Sequence, residues 1–203
     1  MTPKIRLVVL HGYEDEPVGR LVPRDLPDGW QVLEPRGPVE LAAGPAWFAS
    51  DDDGPVESDL VRSLDQLDAL LDLLPAEVRV VIGGSSQGGA VALAWALREG
   101  PDRRLPLGVF AVNAWLPAPE SFAYDPDALA RAGTRALVVG STEDEVVPVQ
   151  AARSAARYLE RGGIDVTWTE LGGGHHIDDG AVAALARWLG KLSAADSART
   201  RAD

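Results

Sequence analysis

Short runs of apolar residues alternate along the chain with longer segments whose apolar positions recur every three to four residues. Four of the short runs are almost continuously apolar, which is typical of strands that are buried on both faces of a parallel sheet. A fifth run alternates between apolar and polar residues as an edge strand does, and residues 31–34 form a weaker sixth candidate. The five clear candidates are residues 5–10, 78–82, 107–112, 136–139 and, alternating, 164–169.

The longer segments have the periodicity of amphipathic helices. Five leucines at steps of four and three predict one apolar helix face that ends before Pro75, namely Leu60, Leu64, Leu67, Leu71 and Leu74. Further helices are predicted over residues 88–98, 148–161 and 180–192, each next to a Gly or Pro boundary signal. The last of them has Val182, Leu185, Trp188 and Leu189 on its inner face, and Trp95 is also expected in the core.

Alternating strands and helices predict an α/β domain over residues 1–192, with a mainly parallel sheet and helices on both of its faces. Residues 193–203 are small and polar and are predicted to form a flexible C-terminal tail. Two segments rich in Pro, Gly and Asp, residues 11–30 and 35–57, are predicted loops over the carboxyl ends of the strands. Ligands bind at that edge in folds of this kind.

The composition narrows the possible partners and chemistry. The chain has 203 residues, and 31 Asp and Glu against 19 Lys and Arg give a net charge of −12, which argues against a nucleic-acid or anionic-membrane partner. The absence of Cys from the sequence excludes disulfides, cysteine-based zinc sites and thiol nucleophiles. The early apolar run at 5–10 is too short for a signal peptide or a membrane span, so we expect a cytoplasmic protein.

The strongest chemical signal is the sequence Gly84-Ser85-Ser86-Gln87-Gly88, between a predicted strand and a predicted helix. A serine hydroxyl becomes a useful nucleophile when a tight strand-to-helix turn exposes it beside a base, and that turn needs small residues two positions before and after the serine. Both of those positions are glycine when Ser86, and not Ser85, is the reactive residue. A Walker-type phosphate loop is the competing interpretation, but its lysine and spacing are missing.

A base and a carboxylate follow later in the chain. His175 and His176 lie in a glycine-rich loop after the strand at 164–169, and spacing alone does not decide between them. Asp144 follows the strand at 136–139 and is the candidate for orienting the imidazole, with Glu143 and Glu145 as rivals. The order Ser, Asp, His along the chain is that of α/β-hydrolases.

Two backbone N–H groups are candidates for stabilising an oxyanion. That of Gln87 lies at the start of the helix after Ser86, and that of Tyr13 follows the strand end Leu10-His11-Gly12. His11 itself is interpreted as a structural hydrogen-bonding group, since it ends an early strand.

Several motifs together resemble the phospholipase/carboxylesterase family of α/β-hydrolases, which includes bacterial carboxylesterases and acyl-protein thioesterases. The resemblance extends over nearly the whole chain. The segment Gly84-Ser85-Ser86-Gln87-Gly88-Gly89-Ala90 is similar to the family's G-F-S-Q-G-G-A, and Leu10-His11-Gly12 to its L-H-G. Four further segments are similar to motifs of the family. They are Pro35-Arg36-Gly37-Pro38 with Gly44 and Trp47-Phe48 (P-R-A/G-P, then G-x-x-W-F/Y), Trp115-Leu116-Pro117 (G-Y/F-L-P), Thr142 to Pro148 (T-x-D-P-V-V-P) and Gly174-His175-His176-Ile177 (G-H-E-I).

The resemblance implies an α/β-hydrolase fold and a serine hydrolase that cleaves carboxylic esters or thioesters through an acyl-enzyme, without a cofactor. It favours His175 over His176, and Asp144 over its neighbours. The chain departs from the family pattern at Gly140-Ser141, where His-Gly is usual, and at Tyr13-Glu14-Asp15-Glu16, where a glycine-rich loop is usual. The short chain leaves little room for a separate lid domain, so we expect small or medium acyl substrates.

Trp47, Phe48, Trp115 and Leu116 are candidates for the substrate pocket, with core packing as the alternative. Asp51-Asp52-Asp53 is interpreted as a solvated loop, and we predict no metal site. An acyltransferase or cyclising enzyme with the same triad, and a non-catalytic binding protein on the same fold, are the alternative functions. The sequence does not indicate an oligomeric state.

Overall fold

The computed structural model describes residues 5–51, 54–118 and 120–199. In chain order its elements are β1 (Ile5–Leu10), β2 (Trp30–Leu33), β3 (Val39–Glu40), β4 (Pro45–Ala46), β5 (Ser50–Asp51), β6 (Gly54–Pro55), α1 (Glu57–Asp72), β7 (Arg79–Ser85), α2 (Gln87–Leu97), β8 (Gly108–Val112), α3 (Pro126–Ala132), β9 (Arg135–Ser141), α4 (Val149–Arg161), β10 (Asp165–Leu171) and α5 (Asp179–Arg199). Of the Asp51-Asp52-Asp53 segment, Asp52 and Asp53 lie outside the described residues.

Within the described ranges, six strands form one sheet in the order β10-β9-β8-β7-β1-β2, and each neighbouring pair is parallel. The short strands β3 and β4, and β5 and β6, form two antiparallel pairs in the segment predicted as a long loop. The predicted α/β architecture and its parallel sheet are confirmed.

Alternate residues of the strands pack against opposite layers of helices, which is why the central strands are apolar throughout. On one face, Val80, Ile82 and Ala111 join a core that includes buried residues of α1 to α4. On the other face, Val81 and Phe110 join a core that includes α5 and part of the segment before β2. Helices therefore cover both faces of the sheet, as predicted, with α1 to α4 contributing to the core on one face and α5 to the core on the other.

The leucine stripe of α1 is buried as its spacing predicts. Leu60, Leu64, Leu67 and Leu71 are at most 2% exposed, whereas the helix ends at Asp72, before the predicted last member Leu74. Within the described residues, no helix combines the length and the hydropathy needed to cross a lipid bilayer.

The predicted flexible tail at 193–203 is wrong for residues 193–199, because α5 continues to Arg199. The small residues that suggested a tail include alanines, which are the strongest helix formers. Leu192 is buried, and Asp196 forms an ion pair with Arg79 at the start of β7, so this last part of α5 is joined to the sheet. Residues 200–203 lie outside the described residues.

The parallel arrangement brings the carboxyl ends of five neighbouring strands to one edge. Leu10, Ser85, Val112, Ser141 and Leu171 are the last residues of β1, β7, β8, β9 and β10. The segments that follow these residues contain each of the side chains that the sequence singles out for catalysis.

Candidate active site

A strained turn between β7 and α2 exposes Ser86. Its backbone has φ 52° and ψ −122°, a conformation that costs a non-glycine residue about 1–3 kcal/mol and is found mainly at functional sites. A Cβ atom added to Gly84 or to Gly88 would lie 2.3 Å from the carbonyl oxygen of Leu10, so any other residue at either position would collide with β1. The Ser86 N–H donates to the Val112 carbonyl oxygen at 2.9 Å, which fixes the turn against β8.

The imidazole of His175 connects Ser86 to a carboxylate. Its Nε2 lies 2.9 Å from Ser86 Oγ, and its Nδ1 lies 2.7 Å from Asp144 Oδ2. Because a carboxylate only accepts, Nδ1 carries the proton and donates to Asp144, which leaves Nε2 to accept from the serine hydroxyl. The neighbouring His176 is exposed, and its N–H donates to the Gly174 carbonyl oxygen.

The carboxylate of Asp144 is fixed on both oxygens. Oδ1 accepts from the backbone N–H groups of Val146 and Val147 at 2.9 and 2.8 Å, and Oδ2 faces His175. The side chain of Asp144 is 0% exposed, whereas Glu143 and Glu145 on either side are exposed. A buried carboxylate with this many donors can hold an imidazole in one tautomer and stabilise its cationic form.

The hydrogen-bonded series Ser86–His175–Asp144 is suited to nucleophilic attack by the serine. An imidazole that accepts from a serine hydroxyl can take its proton while the oxygen attacks an electrophilic carbon. The three side chains come from the segments after β7, β9 and β10, which lie far apart in the sequence but at the same edge of the sheet, where β9 is next to β10 and only β8 separates it from β7.

His11 occupies a different, structural position. It is 6% exposed, its Nε2 accepts from the Gly37 N–H at 2.9 Å, and its Nδ1 faces the Gly12 carbonyl oxygen at 2.7 Å and therefore donates to it. Burial lowers the pKa of the His11 imidazole, partly offset by that bond to Gly12, and the lowered pKa favours the neutral form that this bonding requires. The ring also packs on Trp47, with centroids 5.1 Å apart.

A cavity of about 540 Å³ opens beside Ser86. Its wall combines the serine and both late histidines with polar and charged residues from the loops after β1 and β8. The lining residues are Gly12, Tyr13, Glu14, Asp15, Arg20, Ser85, Ser86, Asn113, Val146, His175, His176 and Ile177.

The sequence model of the phospholipase/carboxylesterase family matches residues 34–193 of the chain. The chain belongs to this family. The matched region includes the turn at Ser86, both late histidines and Asp144.

Among curated members of related sequence, acyl-protein thioesterase 1 of Cryptococcus neoformans is 30% identical over 132 residues. The match covers 55% of this chain and 54% of that protein, so the chain spans about half the length of the curated relatives it matches.

Solved structures show the same fold. Acyl-protein thioesterase 2 of Zea mays matches with a TM-score of 0.75 and 22% identity, over 95% of both chains. The Bacillus cereus carboxylesterase matches with a TM-score of 0.76 and 21% identity, over 95% of this chain and 90% of the other. The α/β-hydrolase fold that the sequence predicts is therefore confirmed.

The structure contradicts the substrate pocket that the sequence predicts. Trp47 and Phe48 are 0% exposed and belong to the core under the sheet, and the half-buried Trp115 and Leu116 pack against that same core. None of these four described residues lines the cavity at Ser86. The reason is that the segment before α1 folds inward, where the Trp47 indole N–H donates to the His11 carbonyl oxygen at 3.0 Å.

The two predicted oxyanion residues come from the segment after β1 and from the start of α2. Tyr13 is 46% exposed and lines the cavity. Gln87 begins α2, where backbone N–H groups have no partner within the helix. Its side chain is 2% exposed, accepts from the Trp47 N–H at 2.8 Å and donates to the Phe48 carbonyl oxygen at 2.7 Å. The Gln87 amide thus holds the inward-folded segment against α2.

Sequence reasoning did not assign a role to Arg20, Asn113, Val146 or Ile177, all of which line the cavity. A usable signal existed for Asn113 alone, because it directly follows a predicted strand and the carboxyl ends of parallel strands share one edge. Arg20 lies within a predicted long loop, whose path a single sequence does not specify.

Proposed function

We propose that the chain is a serine hydrolase that cleaves carboxylic esters or thioesters through an acyl-enzyme. The observation that carries this proposal is the continuous hydrogen-bonded series from Ser86 Oγ through His175 to Asp144 at the wall of an open cavity. Membership of the phospholipase/carboxylesterase family supports the same chemistry, and the matched proteins include an acyl-protein thioesterase and a carboxylesterase by name.

In the first half of the reaction, Ser86 Oγ attacks the carbonyl carbon of the substrate while its proton passes to His175 Nε2. Asp144 holds the Nδ1 proton of His175 and stabilises the imidazolium that forms. The imidazolium then gives its proton to the leaving alcohol or thiol as the bond to the acyl group breaks.

Backbone donors stabilise the oxyanion that develops during the attack. The Gly12 carbonyl accepts from His11, and in a trans peptide the Tyr13 N–H points the opposite way. Gly12 is close to the turn, since a Cβ atom added to it would lie 3.9 Å from the Ser86 Cβ. The Tyr13 N–H and the Gln87 N–H at the start of α2 therefore form the proposed oxyanion hole.

In the second half, His175 Nε2 takes a proton from water as the water oxygen attacks the acyl carbon. The imidazolium then gives that proton to Ser86 Oγ as the acyl–oxygen bond breaks and the acid is released. Neither half requires a cofactor. The substrates we propose have small or medium acyl groups, since the cavity of about 540 Å³ has room for groups of that size.

The decisive variant is Ser86→Ala. We expect turnover of p-nitrophenyl esters to fall about 10³-fold or more, because the covalent route is lost while the fold is kept. Labelling by a fluorophosphonate probe should disappear as well. The matched control is Ser85→Ala, which removes the adjacent hydroxyl on the same cavity wall and should still be labelled.

Labelling that persists in Ser86→Ala would contradict the proposal. A chain-length series of p-nitrophenyl esters, measured beside an acyl-thioester and with competing alcohols, would define the acyl group and separate hydrolysis from acyl transfer.

A further inference from the structure

Asn113 contacts both the end of the strand before the acid loop and the loop that provides the base. It directly follows β8, is 4% exposed and has φ 48°, a left-handed conformation that Asn adopts more readily than most residues. Its N–H donates to the Val139 carbonyl oxygen at 2.9 Å, so the backbone at this position is fixed to β9.

Both ends of the Asn113 amide are engaged. Oδ1 accepts from Ser141 Oγ at 2.9 Å, and Nδ2 donates to the His176 carbonyl oxygen at 3.3 Å. A backbone carbonyl only accepts, so Nδ2 must face His176 and Oδ1 must face the serine hydroxyl, which supplies the proton. An inverted amide would place two acceptors against each other at His176.

Each partner is close to one member of the triad. Ser141 is 5% exposed and ends β9, and its carbonyl oxygen accepts from the Asp144 N–H at 3.4 Å. The His176 carbonyl follows His175 directly in the chain. Ser141 and Asn113 therefore connect the acid loop to the base loop through two hydrogen bonds, of which the Ser141–Asn113 bond is buried and the Asn113–His176 bond is partly buried.

Ser141 lies at a position where the chain departs from the motifs that it resembles, since Gly140-Ser141 replaces the usual His-Gly. A glycine at position 141 has no side chain with which to bond Asn113. The Ser141–Asn113 bond therefore depends on the serine that this chain has at position 141.

We propose that Asn113 and Ser141 act as a positioning pair, which holds the loop of His175 at the distance where the imidazole contacts Ser86 and Asp144 together. This inference rests on the proposed function, because it assigns the pair a role in the reaction of that same triad. The Ser141 hydroxyl acts through Asn113, and its loss should therefore lower kcat and leave KM unchanged.

The test compares Ser141→Ala, Asn113→Gly and the double variant in steady-state hydrolysis of a p-nitrophenyl ester. Glycine at position 113 keeps the left-handed backbone while both side-chain bonds are lost. We expect kcat to fall about fivefold in Ser141→Ala, the effect of one buried hydrogen bond, with KM changed by less than about twofold. The double variant should equal Asn113→Gly within about twofold, because the two residues act as one unit.

Thr134→Val is the matched control. Thr134 precedes β9 at its opposite end, is 2% exposed, and donates its hydroxyl to the Pro106 carbonyl oxygen at 2.6 Å. Its loss should lower the melting temperature about as much as Ser141→Ala does and leave kcat unchanged.

A kcat of Ser141→Ala equal to that of Thr134→Val would overturn the positioning role, and so would losses that multiply in the double variant. If Ser86→Ala is inactive in the same assay, such a result rejects the positioning pair alone. Turnover that survives Ser86→Ala would instead reject the proposed function.

Discussion

At the residue scale, the two late histidines show how neighbouring residues of one type take different positions. His175 contacts both Ser86 and Asp144 through its ring, whereas His176 is exposed and accepts from Asn113 through its main-chain carbonyl. A substitution at position 176 leaves that carbonyl in place, so the doublet offers a closely matched comparison.

We expect His175→Ala to lower kcat/KM by about 10³-fold or more, since the serine would lose its base. His176→Ala should lower kcat/KM by less than about tenfold, because its ring contributes to the cavity wall and not to the proposed triad. Ester hydrolysis by both purified variants measures the difference, and circular dichroism verifies their folds. A larger loss in His176→Ala would reassign the base.

At the element scale, close packing of α2 against β1 depends on glycine. A Cβ atom on Gly88 would lie 2.3 Å from the Leu10 carbonyl oxygen and 2.4 Å from that of His11, and these are backbone atoms that cannot rotate away. For Gly190 in α5, a Cβ atom would meet no atom of the described residues within 4 Å beyond its chain neighbours and the backbone of its own helix. The two helical glycines thus predict opposite responses to the same substitution.

Gly88→Ala should reduce the free energy of unfolding by about 2 kcal/mol or more, because the helix must move away from the strand. Gly190→Ala should raise it by about 0.5–1 kcal/mol, since alanine loses less backbone entropy than glycine in a helix. Urea unfolding followed by circular dichroism measures both values. Equal effects of the two substitutions would contradict the packing described for α2.

The same scale shows why some elements could be predicted from the sequence and others could not. The central strands follow from their continuous apolar runs and α1 from its leucine periodicity, because these elements are buried at the apolar positions that the pattern marks. Helix α3 escaped prediction although Asp125, Pro126 and Gly133 form its boundaries, since seven residues are too few to show a period. Its N-cap is clear only in the structure, where Asp125 accepts from the Ala128 N–H.

Some residues of the candidate site could also be predicted from the sequence, and others could not. Ser86, Asp144 and the histidine doublet were indicated by their order and by the strands before them. The pocket was not, because Trp47 lies in the core through bonds to His11 and Gln87, residues 36 and 40 positions away. A single sequence does not reveal pairings at such separations.

At the scale of the whole molecule, the negative charge extends to the cavity. The chain has a net charge of −12, and the charged cavity wall consists of Glu14, Asp15 and Arg20. Arg20 forms an ion pair with Asp15, with an N–O distance of 3.4 Å. The guanidinium of Arg20 therefore offsets the charge of Asp15 and not that of Glu14. An anionic substrate is thus repelled both on approach and at the wall.

We therefore expect p-nitrophenyl esters with an anionic acyl group to react with lower kcat/KM than neutral esters of equal size, and cationic ones with higher. Glu14→Gln should raise kcat/KM for the anionic ester about two- to fivefold at low salt, and this gain should shrink as salt screens the charge. The substitution keeps the Glu14 Oε1 that accepts from the Ala43 N–H at 3.1 Å.

The control is Glu160→Gln, near the exposed end of α4, which makes the same change in net charge away from the cavity wall and should not raise kcat/KM for the anionic ester. Equal gains in the two variants would assign the selectivity to net charge and not to the cavity, and equal rates for the three esters would exclude electrostatic selection.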